Sequence, residues 1–128
     1  MKTLIKVLLT LVLAVTLIQA AAFNKDAKYR TTQIHISSDK PLSTGKNTLV
    51  FHITKKGKAV KDAKVSIKAF MPAMPGMPAM VSKVDTKSLG NGDYEAKLNI
   101  AMGGTWQIHI FIVPKSGKKS RVKTAINF

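Results

Sequence analysis

The 128-residue sequence contains no cysteine. The fold therefore receives no disulfide, and no thiolate is available for metal binding, redox chemistry or covalent catalysis. Acidic residues are scarce, six Asp and Glu against 21 Lys and Arg. That balance leaves a poor host for calcium or magnesium, which need clustered oxygen ligands. There is no Gly-x-Ser-x-Gly, no Cys/His pair, no paired carboxylates and no phosphate-binding glycine loop. No constellation for catalysis is visible, so the chain reads as a binding protein and not an enzyme. Its apolar run, Val7 to Ile18, is interrupted by Thr10 and Thr16. It falls short of the roughly 18–20 residues a membrane span needs.

That run has another meaning. It follows a basic start, Met1-Lys2-Thr3-Leu4-Ile5-Lys6, and precedes Gln19 and Ala20-Ala21-Ala22. A charged start, a short apolar stretch and a small-residue site form a secretory signal. Cleavage is expected after Ala22, giving a signal peptide of residues 1–22 and a mature domain of residues 23–128. The protein is then periplasmic or secreted, with no stable membrane span. No cysteine follows the run to accept a lipid. A mature chain of this size is one domain. Lys2 and Lys6 leave with the signal, so 19 basic residues face six acidic ones, a net of +13 (19 − 6). In a cytosolic protein this charge would point to nucleic acid; export argues against that partner. The lysines, as in Lys55-Lys56, Lys58, Lys61, Lys64 and Lys118-Lys119, suit solvated strand edges and turns, where lysine blocks edge-to-edge pairing.

Beyond the signal the pattern has period two, with a turn signal every eight to fifteen residues. It predicts an all-β, immunoglobulin-like antiparallel β-sandwich of about seven strands. Strands are expected near Arg30–Ser37, Asn47–Thr54, Ala63–Phe70, Met80–Thr86, Asp93–Ile100, Thr105–Val113 and Ser120–Phe128. Asn91-Gly92 is a strong hairpin signal. Parity assigns Leu49, Phe51, Ile53, Val65, Ile67, Ala69, Tyr94, Ala96, Leu98, Ile100, Trp106, Ile108, Ile110 and Ile112 to the core. Chain direction reverses at every strand, so the loops after the first, third and fifth strands share one end. Those are Ser38–Lys46, Met71–Ala79 and Ala101–Gly104, and Met102 should therefore join Met71, Met74, Met77 and Met80.

The segment Met71-Pro72-Ala73-Met74-Pro75-Gly76-Met77-Pro78-Ala79-Met80 repeats methionine every third residue. Proline cannot donate to a ladder and pushes its predecessor to extended geometry. A polyproline II stretch with three residues per turn is expected, its methionines along one edge, with Gly76 permitting a bend. Thioethers are neutral, do not titrate and cannot form disulfides; soft sulfur selects copper(I), and silver(I) is chemically similar. The five non-initiator methionines, Met71, Met74, Met77, Met80 and Met102, are thus the candidate metal ligands. Methionine is equally an adaptable contact residue, so the same edge could dock a protein.

His35, His52 and His109 each lie opposite the apolar set of their strand and should face solvent. They are weaker candidates, as copper(II) ligands, with His35 and His52 pairing across adjacent strands. Trp106 has core parity, with a lesser prospect that its ring edge meets a metal at the methionine end by a cation–π contact.

Taken together, Met71–Met80, Gly92-Asp93-Tyr94 and Met102-Gly103-Gly104-Thr105-Trp106 carry a family resemblance. From Thr31 to Phe128 the chain resembles the YtkA-like/FixH-like family of small exported β-sandwich domains. It is most similar to the short secreted copper-resistance determinants of that group. The resemblance implies an immunoglobulin-like fold and a part in copper handling, efflux or oxidase assembly. Many relatives place histidine shortly after Met-Pro-x-Met, where this chain has Gly76-Met77, which implies an all-thioether site. Two functions follow as expectations. One is an exported copper(I) carrier or buffer in copper resistance or homeostasis, delivering to an envelope efflux or copper-acceptor protein. The other is a metal-free interaction module of an envelope efflux or assembly system, docking through the same loop.

Overall fold

In a computed structural model, which describes residues 22–128, the alternating segments form ten strands. The expected signal peptide lies outside the described residues apart from Ala22. The strands are β1 (Phe23–Tyr29), β2 (Thr32–Ser38), β3 (Gly45–Lys55), β4 (Lys58–Ala59) and β5 (Lys64–Met71). They continue as β6 (Met80–Asp85), β7 (Lys87–Gly90), β8 (Asp93–Ile100), β9 (Thr105–Val113) and β10 (Ser120–Asn127). All pairings are antiparallel. One sheet runs β1-β2-β3-β8-β7, with β4 folded back on β3, and the other runs β10-β9-β5-β6. Setting aside β1 and β4, these are the strand neighbours of an immunoglobulin-type sandwich. Among the described residues no helix is long and apolar enough to cross a membrane.

All fourteen residues given to the core by parity are buried. Ile34, Ile36, Met71, Val122, Ile126 and Ala27 complete the core. Each large side chain fully removed from water contributes about 1.5–3 kcal/mol. Within this apolar layer polar groups are matched. The Tyr94 hydroxyl donates to the Val60 carbonyl (2.8 Å) and accepts from the Ala63 N–H (3.3 Å).

The strand count differs from the expected seven because β1, β4 and β7 were not foreseen. β1 buries only Ala27, and β7 is exposed throughout. β4 has two residues. Strands exposed on both faces lack the apolar alternation by which buried ones are read. The additions leave the direction of the seven expected strands unchanged. The 39–44, 72–79 and 101–104 connections accordingly share one end. Gly45 pairs with Ile100 and Phe70 with Gln107, which brings the strand ends flanking these connections together.

Candidate functional site

The methionine segment is a hairpin. β5 ends on Met71 and β6 begins on Met80, and the two residues are partners in the ladder. Further out, Met74 and Met77 form an isolated bridge. The Met74 N–H donates to the Met77 carbonyl (3.0 Å), and the Met77 N–H to the Met74 carbonyl (2.8 Å). Between them lie Pro75 and Gly76, with Gly76 at φ 81°. Proline followed by a positive-φ glycine, closed by a bond between the first and fourth residues, is a type II turn. The expected polyproline II edge is therefore overturned by folding about Pro75-Gly76. Pro72 and Pro78 have no N–H to give, so pairing lapses between the two methionine rungs. The sequence carries a signal for this: Met-Pro-Ala-Met occurs twice, on either side of Pro75-Gly76. Antiparallel folding of two identical tetrapeptides pairs first methionine with last.

Met102 belongs to the same end, as parity required. A Cβ built on Gly104 would stand 2.9 Å from Met71 Cε, so the 101–104 connection lies against Met71. Three bonds fix that connection. The Trp106 indole N–H donates to the Met102 carbonyl (3.0 Å), and Gly104 and Phe128 exchange N–H donors (3.1 and 2.9 Å). The neighbouring 39–44 loop is clamped by Asn47, whose side chain bonds Ser43 N–H and carbonyl at 2.9 and 2.7 Å.

The five methionines differ in access. Met71 is 6% exposed and belongs to the core. Met80 and Met102 are half-buried and pack against the core. Met77 is half-buried and Met74 is 49% exposed, both at the hairpin tip. Directly opposed residues of a ladder have Cβ atoms about 5 Å apart. Methionine's three rotatable bonds let two such side chains converge on one ion. Charge is nearly absent here: the three connections carry only Asp39 and Lys40, both in the 39–44 loop. Among the described residues no group of three or more His, Cys, Asp or Glu is placed to hold a metal ion. The donors gathered at this end are soft and neutral, and they fit copper(I).

A family model described as YtkA-like matches residues 26–111. The chain belongs to the YtkA-like family. The match runs from β1 into β9, beginning earlier than the resemblance read from Thr31 and including both methionine segments. No curated protein and no solved structure matches the chain.

In this YtkA-like domain the histidines lie within strands, off the three connections at the methionine end. His35 and His52 are direct partners across β2 and β3, on the solvent face. Each is held by a carboxylate that sequence reasoning did not pick out: His35 Nδ1 donates to Asp26 and His52 Nδ1 to Asp93, both at 2.6 Å. The signal was present in the register, since Asp26 pairs with His35 and His52 with Asp93. His35 Nε2 lies 3.0 Å from Asn24 Oδ1, so both its nitrogens face β1 and not His52. His109 sits on the outer face of the other sheet, edge-on to Phe70 and Phe111, with ring centroids 5.0 and 6.2 Å away. Burial, then Lys123, Arg121 and Lys68, holds its pKa below the usual histidine value. Trp106 is buried, and its indole N–H is taken by Met102.

Proposed function

We propose that this protein is an exported copper(I) carrier or buffer of the periplasm or cell exterior, a binding protein and not an enzyme. The supporting observation is the hairpin: two methionine rungs, 71/80 and 74/77, with Met102 beside them, on connections whose only charged residues are Asp39 and Lys40. In this reading Met74 and Met77 are the entry ligands, because they are the outermost. Met80 and Met102 complete the thioether set from the rim, and Met71 supports them from the core. Neutral ligands bind a monovalent soft ion without releasing a proton, and exchange among several thioethers permits hand-over to an envelope efflux or copper-acceptor protein. Silver(I) would occupy the same donors.

The second reading, a metal-free docking edge for an envelope efflux or assembly system, draws on the exposure of Met74 (49%) and Val81 (56%). One experiment separates the two. Copper(I) is titrated anaerobically against a competing chelator into the wild-type chain and into a variant with Met74, Met77, Met80 and Met102 changed to leucine. Tight binding lost in the variant supports the carrier. Absence of binding in both overturns it and favours docking, because leucine keeps the apolar bulk and removes only sulfur.

A further inference from the structure

The opposite end of the sandwich has the reverse character. Its connections carry Arg30 between β1 and β2, Lys56 between β3 and β4, and Lys61 with Asp62 before β5. The β9–β10 loop adds Lys115, Lys118 and Lys119. The edge strands β1 and β10 of the two sheets run side by side, and nearer the methionine end the Lys25 ammonium of β1 donates to the Ala125 carbonyl of β10. Below that seam lies an open depression of about 690 Å³. Lys28, Arg30, Lys55, Lys118, Lys119 and Arg121 line it, and its lining contains no carboxylate. The lysines that look scattered in sequence are thus gathered by topology. Like charges crowded at one place repel, and their assembly is compensated when an anion neutralises them.

The cations sit on exposed, flexible side chains spread over strand ends and connections. A pocket for one small anion would instead converge buried donors or backbone N–H groups on a single point. Tyr29, at the same rim, is 45% exposed, and the Arg30 guanidinium stands over its ring at 5.3 Å. An exposed aromatic paired with a cation suits the headgroup level of a bilayer, where tyrosine and basic residues concentrate. We propose that this end docks on an anionic phospholipid surface, with these cations on headgroup phosphates and Tyr29 at the interface. The proposal stands independently of the copper reading.

The test uses the chain from Phe23 onward, which contains all ten strands and the whole described core. It is co-sedimented with phosphatidylglycerol–phosphatidylcholine vesicles. One variant carries Arg30→Ser, Lys118→Ser and Lys119→Ser. A second of equal net charge carries Lys40→Ser, Lys46→Ser and Lys97→Ser, on or near the methionine end. Fluorescence of buried Trp106 checks that both fold. The expected result is binding to the anionic vesicles but not to pure phosphatidylcholine. The first variant should lose roughly a hundred-fold in partitioning, and the second much less. Tyr29→Ser should cost a further several-fold with no change in charge. Equal loss in the two triple variants would overturn the docking site, leaving only net charge. Displacement from vesicles by inorganic phosphate at constant ionic strength would also overturn it, in favour of a soluble anion. Absence of binding to anionic vesicles would overturn it outright.

Discussion

Gly104 and Met71 share one space: a Cβ built at position 104 would lie 2.9 Å from Met71 Cε. Gly104 also has φ +137°, a conformation that side-chain-bearing residues rarely adopt. Gly104→Ala should therefore destabilise the fold by about 1–3 kcal/mol, most of it backbone strain because the methionine end can move aside. Urea unfolding measures the loss. Repeating the substitution in a Met71→Leu background should recover only the contact share. Full recovery would show that contact, and not backbone strain, sets the cost.

Gly76 tests the hairpin tip. A side chain there meets nothing within 4 Å, so only its positive φ resists substitution. Gly76→Ala should cost on the order of 1 kcal/mol locally. Amide exchange should quicken at Met74 and Met77 while β5 and β6 keep their protection, and under the proposed carrier function copper(I) affinity should fall. Unchanged exchange at Met74 and Met77 would contradict the turn assignment.

Tyr94→Phe removes a hydroxyl that serves two backbone groups, Val60 and Ala63. The expected loss is about 1–3 kcal/mol, measured by thermal or urea unfolding, because both partners sit in a half-buried segment. A neutral result would mean that water replaces the hydroxyl at no cost.

His109 gives a pH dependence with a definite sign. Its folded pKa is held below the ordinary histidine value of 6.5, by burial first and then by Lys123, Arg121 and Lys68. The unfolded chain therefore binds the proton more readily than the native one. The contribution of His109 is fully present above about pH 6.5 and declines as the pH falls towards the native pKa. NMR titration of the ring should show the depressed value, and Lys123→Ser should raise it. His109→Gln should flatten this part of the stability profile.

Much of the fold was legible because each buried strand alternates: Leu49, Phe51 and Ile53 on β3, or Ile108, Ile110 and Ile112 on β9, can face only one way. Strand direction then placed Met102 beside the hairpin without any contact being known. β1 and β7 escaped because Phe23–Tyr29 and Lys87–Gly90 bury almost nothing, leaving no period to read. The hairpin itself was misread as extended because three prolines outweighed Pro75-Gly76, a turn dipeptide. The partnership of His35 and His52 was readable, but their aspartates required the register of β1 and β8. The basic end stayed hidden, since its residues are distant in sequence and meet only through the strand order that brings β1, β3 and β10 to one place.

The two ends also fix a distance. β9 spans nine residues, which at about 3.3 Å each makes the domain a rod close to 30 Å tall. Were the basic end to rest on a charged layer, the methionine tip would stand off by that height and face outward. A recipient anchored in the same layer would then need a port at about that elevation. A strand lengthened by two residues would miss it by roughly 7 Å.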